Sequence, residues 1–469
     1  MSTRALVLAL VVTVAATRTG TAASAAATGT ATAAAAAGTA TTVPPRPRGV
    51  SPRRQAAPAR LEDGVIRIPL PVEYLPIAVE TAFEVKTLPM GDQPAAVALA
   101  DLVARSSPVR EPDLAAAELL FSRQRSIGVC RRLLRAVHLR AAEQARAAYQ
   151  LPAVLVHLRR VATIAPEPAI DTDIVVVLLE QGRWAEAEGE AEALVAQRPD
   201  DVGGHLALAF ARLRQDRAAD ALPPVQAALV LEDSKRVRLL LALVERALAS
   251  EQGLNEARHW HFHVLYEGAP NPDLGRALTE RLESHYSTLV GVFEYEPGQT
   301  IPVILFTKAR YYAVTGAPHW SGGAYNALDG RIRVPVGGLT TAALGEIDGT
   351  LLHELTHVFV AQRTGGAAPR FLHEALAQYV EGDRVVAKLD LDAMSALTDG
   401  RLEGVGGFYA EALSFAEYLM QQAGQRGIND VLADMGETGS VDASFRRVYG
   451  RDYEGTRTAW REWARTSYR

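Results

Sequence analysis

Apolar residues change their spacing several times along this chain, and each change predicts a different kind of element. Between residues 62 and 90 apolar and polar positions alternate and Pro69, Pro71 and Pro76 intervene, a pattern that favours short strands or extended segments. From about residue 95 to residue 165 the apolar positions recur at helical spacing instead. The same spacing returns over residues 410–465 and predicts three or four helices there.

A segment in the middle of the chain repeats itself at a constant offset. Residues 180–187 match residues 214–221, although the second copy lacks the turn glycine, and a looser third copy begins near Glu251. The offset of 34 residues resembles the period of the tetratricopeptide repeat. In such repeats helix pairs stack on one another, because no single pair can bury its apolar face alone. We expect such repeats over residues 166–275, after a mixed and then helical region at 61–165. They form either a concave peptide- or protein-binding surface or a helical spacer packed against the next domain.

The pattern after residue 300 predicts a mixed α+β domain. Residues 301–306 form an apolar run typical of a buried strand, and residues 331–335 indicate a second strand. Pro335 favours an edge position for that second strand, because proline gives up one hydrogen bond of the ladder. Apolar residues at helical spacing then predict a helix from about Thr340 to Arg363.

Two histidines lie on the predicted helix at a spacing that suits a metal ion. His353 and His357 are four residues apart, so both imidazoles share one face about one turn apart. Glu354 lies roughly 100° further round the helix, where it does not ligate but can act on water beside the ion. This is the arrangement of metal-assisted hydrolysis, with zinc as the ion and Glu354 as the general base.

A third ligand is expected on the next predicted helix, because hydrolytic zinc sites usually have three protein ligands and one open position. After Gly365 and Gly366 a second helix brings back either Glu374 or His373. Adjacent helical positions point about 100° apart, so only one of the two can face the ion. Glu381, two turns beyond Glu374, is interpreted as a solvated or helix-ending charge.

These residues resemble a known family. The HELTH motif, followed by Phe-Leu-x-Glu-Ala-Leu-Ala-x-Tyr-x-Glu-Gly at residues 371–382, is similar to the gluzincin pattern. It is most similar to peptidase-MA-like domains, which often follow tetratricopeptide repeats in exported bacterial proteins. The resemblance covers about residues 290–465, and its upstream segment at 320–332 resembles the one leading into the family's substrate-side edge strand.

The resemblance implies a thermolysin-like α+β zincin fold for residues 276–469, with zinc on His353, His357 and Glu374 and with Glu354 as the base. Gln378 departs from the family pattern, since some relatives carry there an aspartate that supports a ligand histidine. Related enzymes also use a downstream tyrosine or histidine to stabilise the oxyanion.

Tyr409 is the candidate for that oxyanion donor. The alternative is that Tyr409 only packs at the start of a helix.

The N-terminal end predicts export rather than a folded domain. An apolar run at residues 5–16 follows Arg4, and small residues that suit cleavage occur at 23–25, so residues 1–25 are interpreted as a signal peptide. The alternative is an Ala-rich tail of a cytoplasmic protein. Residues 26–60 are rich in Ala, Thr, Pro and Arg and predict a disordered linker.

Charge and cysteine content exclude several classes of protein. The net charge is −5, and the segment before Leu61 contains arginines but no acidic residue, so the remainder is more acidic still. Nucleic acid is therefore not an expected partner. A single cysteine, Cys130, excludes an intrachain disulfide and a cysteine-based metal site.

Two functional hypotheses follow from the sequence. The first is a secreted or periplasmic zinc metallopeptidase whose repeats position a peptide or protein substrate, or a protein partner. The alternative is a non-catalytic envelope protein-binding module, in which the repeats are functional and the zincin domain is a scaffold.

Overall fold

A computed structural model describes residues 70–268, 272–317, 321–337, 340–385 and 402–468. The predicted signal peptide and linker lie outside these residues, so both stay predictions, as do the predicted domain limits. Of the helices in the described ranges, none combines the length and the apolar character needed to cross a membrane.

The first half of the described chain is helical. Residues 70–84 form neither helix nor strand, so the strands expected between residues 62 and 90 do not form in the described part of that segment. Pro71 and Pro76 each lack an amide donor, and the segment instead packs on the helices, with Val72 in their core and Leu75 N–H donating to Asp173 Oδ1 over 2.8 Å. A short 3-10 helix, Val85–Thr87, leads into the helices. These are α1 (Gln93–Ala104), α2 (Glu111–Arg123), α3 (Gly128–Ala147), α4 (Leu151–Ile164), α5 (Pro168–Glu180), α6 (Trp184–Gln197), α7 (Val202–Arg214), α8 (Ala218–Leu231) and α9 (Lys235–Glu251).

Consecutive helices pack against each other from α2 to α9, and the two clearest sequence repeats coincide with α5–α6 and α7–α8. The turns inside these pairs have the same backbone conformation. Gly182 has φ 69°, and Asp216, at the equivalent position of the next repeat, has φ 61°. Asp tolerates this left-handed region better than most residues, so the pair forms without the turn glycine.

A five-stranded sheet follows the helices in the order β1-β2-β3-β5-β4. The central strands β2, β3 and β5 are parallel, and the outer strands β1 and β4 are antiparallel to their neighbours. The strands are β1 (Asn255–His259), β2 (Phe262–Tyr266), β3 (Ile301–Thr307), β4 (Ala324–Asn326) and β5 (Arg331–Val336).

Two sequence interpretations are wrong in this region. The third repeat copy is not a helix pair, because residues 255–266 form β1 and β2. All five residues of β2 are buried, four of them apolar, and burial on both faces is typical of a strand that pairs in parallel within a sheet, as β2 does with β3. The proline strand β5 is also not an edge strand. It lies between β3 and β4, but β4 pairs only with residues 331–333, so Pro335 lies beyond the end of that ladder.

Eight further helices in the described ranges complete the fold and cover the sheet. The predicted helix from Thr340 to Arg363 is divided at Ile347, and the long C-terminal helix is kinked at Gly424, which has φ 65°. The helices are α10 (Pro272–Phe293), α11 (Lys308–Thr315), α12 (Thr341–Glu346), α13 (Asp348–Arg363), α14 (Arg370–Glu381), α15 (Leu402–Thr438), α16 (Val441–Tyr449) and α17 (Tyr453–Ser467). One hydrophobic core joins α10, α13, α14 and the C-terminal helices to the sheet.

A buried network of charges joins the helical region to the sheet. Arg331 on β5 is fully buried, and its guanidinium contacts Asp216 Oδ1 at 3.0 Å and Glu251 Oε1 at 2.7 Å. The other oxygen of Asp216 bonds Nδ1 of His263 on β2. The residue that replaces the turn glycine in the second repeat therefore also binds the sheet.

Candidate metal centre

Helix α13 holds the histidine pair as the sequence predicts. His353 and His357 are both buried, and their ring centroids lie 4.9 Å apart at an interplanar angle of 77°. The helix is the central one of its core, with Leu351, Leu355 and Phe359 fully buried beside the pair. Hydrophobic packing therefore fixes the position of the helix that carries both imidazoles.

The turn after α13 brings Glu374 to the histidines. Gly365 and Gly366 have φ 58° and 75°, which reverses the chain into α14. Glu374 Oε2 then lies 3.4 Å from Nε2 of His353 and 3.7 Å from Nε2 of His357. One donor atom from each of the three residues lies within 4.8 Å of the other two, so the group suits a metal ion.

The polar atoms of this group fit a bound cation. His353 Nε2, His357 Nε2 and both carboxylate oxygens of Glu374 are buried and have no hydrogen-bond partner in the described part of the chain. Leaving one such atom buried and unpaired costs about 1–3 kcal/mol, so several of them together indicate a missing partner of positive charge. Two imidazoles and one carboxylate are a set that zinc takes in hydrolytic sites, with one position left open.

His373 does not belong to the group. It is buried, and its ring centroid lies 5.6 Å from that of His357, but Glu374 is the residue that completes the metal-binding set. Burial and then the charge of Arg370 lower the pKa of His373 to about 4.

Glu354 is fully buried and faces the strand β4. A Cβ placed on Gly323 would lie 2.9 Å from Glu354 Oε1, so this close approach requires glycine. Burial raises the pKa of Glu354 to about 8, although the charge of His353 and the nearby N–H of Tyr325 oppose the rise. A cation held by the three ligands lowers that pKa again. The carboxylate therefore lies between the edge strand and the metal-binding group.

Glu381 is exposed and is the last residue of α14, as the sequence predicts, and it also contacts His353. Its Oε2 lies 3.1 Å from Nδ1 of His353, on the side of the ring away from Glu374. Carboxylates in this position fix the orientation of a ligating imidazole. Glu381 lies on the face of α14 that carries Glu374, which is the one signal in the sequence that points to this role.

Gln378 and Tyr409 lie together on the other side of the centre. Gln378 Nε2 donates to the carbonyl oxygen of Glu374 over 3.1 Å and to that of Tyr409 over 3.0 Å, so it holds α14 to α15 and does not support a histidine. The Tyr409 hydroxyl is buried and has no hydrogen-bond partner among the residues that the structure describes. Burial and then Glu374 raise the pKa of Tyr409 well above its usual value, while Arg370 opposes this. The hydroxyl is therefore a proton-bearing donor.

Arg370 is a basic residue of the centre that sequence reasoning missed. Its Nε lies 3.7 Å from Glu374 Oε1, one turn earlier on α14, and its guanidinium lies 5.8 Å from the ring of Phe408. The side chain is only 12% exposed. Its position four residues before Glu374 on one helix face was the available signal.

Comparison with known proteins agrees with this geometry. Residues 299–466 match the family model of the peptidase MA superfamily, a range that includes the metal-binding group, Glu354 and Tyr409. A search of curated proteins gives no match. Residues 299–466 of this chain are therefore similar to the peptidase MA superfamily.

Proposed function

We propose that this protein is a zinc-dependent metallopeptidase of gluzincin type, with one zinc ion on His353, His357 and Glu374. One observation carries the proposal: three buried donor atoms converge without partners, and a buried carboxylate, Glu354, lies beside them. A structural zinc site would instead have a fourth protein ligand. Among the described residues the group has three.

Each residue of the centre has a role in peptide hydrolysis. Zinc supplies Lewis acidity when bound, which acidifies water and polarises a carbonyl. Glu354 takes a proton from the attacking water and passes it on to the leaving amine. Tyr409 donates a hydrogen bond to the oxygen that becomes negatively charged. Glu381 holds the His353 ring in the tautomer that presents Nε2 to the ion.

The helical region is proposed to be tetratricopeptide-like and to position a peptide substrate or a protein partner. The matching turns at Gly182 and Asp216 support the repeats, and the buried contacts of Arg331 support a fixed placement against the peptidase domain. The sheet with its antiparallel edge strand beside Glu354 supports a thermolysin-like arrangement of the catalytic domain.

The decisive experiment compares Glu354→Gln with Glu462→Gln, the same chemical change on an exposed position of α17. Bound zinc and cleavage of a diverse peptide library are measured for both variants, with and without a chelator. We expect Glu354→Gln to keep the zinc and to lose peptidase activity, while Glu462→Gln matches wild type. A wild-type protein that holds no zinc contradicts the proposal. Equal cleavage by both variants also contradicts it and favours the non-catalytic binding module.

Export through the N-terminal signal peptide belongs to the same proposal and rests on the sequence pattern of residues 1–25. Mass spectrometry of the mature N-terminus tests it. Cleavage near residue 25 is expected, and retention of residues 1–25 in the mature protein contradicts it.

A further inference from the structure

A cleft of about 590 Å³ lies between the helical region and the peptidase domain. The turn between α5 and α6 and the end of α7 form one wall. Tyr325 of β4 and the last residues of α13 form part of the other wall, and the metal ligands and Glu354 are not among the lining residues. The volume falls in the range of ligand sites, roughly 300–1,000 Å³.

Arg214 brings a buried positive charge to this cleft. The residue is 7% exposed, its Nη1 donates to the carbonyl oxygen of Ala327, and its guanidinium lies 4.7 Å from the ring of Trp184. Within the described ranges no carboxylate lies within 4 Å of it, whereas the neighbouring Arg212 and Arg217 both pair with Glu188. A buried charge without a counter-ion is costly, which points to an anion supplied from outside.

Three buried donor groups of residues that line the cleft have no hydrogen-bond partner within the described ranges. They are Nε of Arg214, Nε1 of Trp184 and Nε2 of Gln181. The Gln181 amide is oriented by its own oxygen, which accepts from Arg183 Nη1 over 3.1 Å. All three groups are donors, so a ligand that reaches any of them must offer an acceptor.

The two walls are already fixed relative to each other. Gln299 Nε2, from the peptidase domain, donates to the carbonyl oxygen of Gly182 over 2.9 Å. Glu180 and Glu186 also line the cleft. Glu186 is paired with Arg183, and Glu180 accepts from the hydroxyl of Tyr74. These two carboxylates disfavour a ligand that carries more than one negative charge.

We propose that this cleft binds a short peptide through a single carboxylate, which Arg214 neutralises and which accepts hydrogen bonds from Gln181 and Trp184. The carboxylate is a peptide C-terminus or an acidic side chain, since both offer the same acceptors. Tyr325 extends the site toward the catalytic domain, because it lines the cleft while its N–H lies near Glu354. This site is separate from the metal centre and does not depend on the proposed peptidase activity.

Calorimetry on the full chain with the metal removed and Glu354→Gln in place tests the proposal without cleavage of the probes. The three probes are acetyl-Ala-Ala-Ala with a free C-terminus, acetyl-Ala-Glu-Ala-amide and neutral acetyl-Ala-Ala-Ala-amide. We expect at least one carboxylate probe to bind, and the neutral probe to bind at least about tenfold more weakly. The carboxylate probe that binds more tightly shows whether the cleft takes a peptide C-terminus or an acidic side chain.

Variants assign the binding to the cleft. Arg214→Gln is expected to weaken the carboxylate probe at least about tenfold, and Arg238→Gln, which removes a charge that is 68% exposed, is expected to leave the affinity unchanged. Gln181→Glu changes one atom and places a negative charge at the site, so it should abolish binding even if Arg214→Gln fails to fold. Binding of no probe, equal binding of all three probes, or undiminished binding by Gln181→Glu overturns the proposal.

Discussion

Glu381 and His353 are joined across the helix pair that holds the metal-binding group, with Oε2 of the glutamate 3.1 Å from Nδ1 of the imidazole. The opposite nitrogen of the same ring lies 3.4 Å from Glu374. His353, a proposed metal ligand, is therefore held between two carboxylates of one helix, and its orientation depends on where α14 crosses α13. This relationship makes the outer glutamate part of the metal centre although it does not ligate.

Removal of Glu381 is expected to weaken metal binding. Glu381→Ala leaves Nδ1 of His353 without its acceptor, and loss of such a partner typically costs about 10–100-fold in metal affinity or activity. Competition with a chromogenic chelator measures the zinc affinity, with Glu462→Ala as the control. An unchanged affinity would show that the ring is held by packing alone.

Gly349 makes room for that glutamate. A Cβ at this position would lie 2.6 Å from Glu381 Oε1, so Gly349→Ala should push the carboxylate away from His353 and lower the zinc affinity. Gly345→Ala is the control, because a Cβ there meets nothing within 4 Å. The double variant with Glu381→Ala should bind zinc no worse than Glu381→Ala alone. Additive losses would mean that Gly349 acts by another route.

Gly323 is expected to control the position of the general base. The methyl group of Gly323→Ala would lie 2.9 Å from Glu354 Oε1 and 3.0 Å from Thr350 Cγ2, and so would displace the buried carboxylate. A shift of about 1 Å can cost about a hundredfold in rate, so kcat should fall while zinc content stays at the wild-type level. Gly291→Ala, on an open face of α10, serves as the control. Wild-type turnover in Gly323→Ala would contradict the assignment of Glu354 as the base.

The substitution Tyr409→Phe tests whether the Tyr409 hydroxyl donates a hydrogen bond to the oxyanion or the side chain only packs in the core. Removal of one oxyanion donor usually lowers kcat about 100–1,000-fold, and the ring and its burial are preserved. We expect kcat to fall with little change in KM or in thermal stability. Steady-state kinetics and a melting curve on the same preparation distinguish the two roles, because a packing residue would change stability and leave kcat intact.

The sequence predicts the parts of this centre that depend on local geometry. His353 and His357 are neighbours because of helical periodicity alone. The short turn between the two helices predicts a third ligand at either His373 or Glu374, and the resemblance to gluzincins favours Glu374. Glu381 could not be assigned in the same way, because its contact depends on the angle between α13 and α14. The approach of Gly323 to Glu354 likewise depends on how the sheet packs against α13.

In the repeats, too, the local sequence pattern predicts the helices but not the contacts between distant residues. The constant offset between the two matching segments predicted the helix pairs, but the missing turn glycine counted against the second copy. Asp216 tolerates the left-handed turn and bonds His263 and Arg331, which lie 47 and 115 residues further along the chain. Asp216 is therefore a poorer match than glycine to the repeat pattern, but its carboxylate binds residues that are distant in the sequence.

The contact between the Asp216 carboxylate and His263 predicts that the stability of the protein depends on pH. Burial alone would lower the pKa of His263, but its hydrogen bond to Asp216 and the charge of that residue raise it above the usual 6.5. Glu256 adds to the rise and Arg258 opposes it. Because the folded pKa is raised, the stabilisation by protonated His263 is complete below the unfolded pKa of about 6.5. It is lost as the pH rises through the folded pKa.

The prediction is a fall in melting temperature as the pH rises from about 6.5, and a smaller fall in His263→Gln, which has no titrating proton. His259→Gln removes a histidine that is 40% exposed on the neighbouring strand and should keep the wild-type profile. Burial also raises the pKa of Glu251 in the same network, so the difference between the wild-type and His263→Gln profiles, rather than the wild-type profile alone, isolates His263. Identical pH profiles for wild type and His263→Gln would mean that His263 is neutral in its contact with Asp216. Arg331 would then be the cation that stabilises Asp216 between the repeats and the sheet.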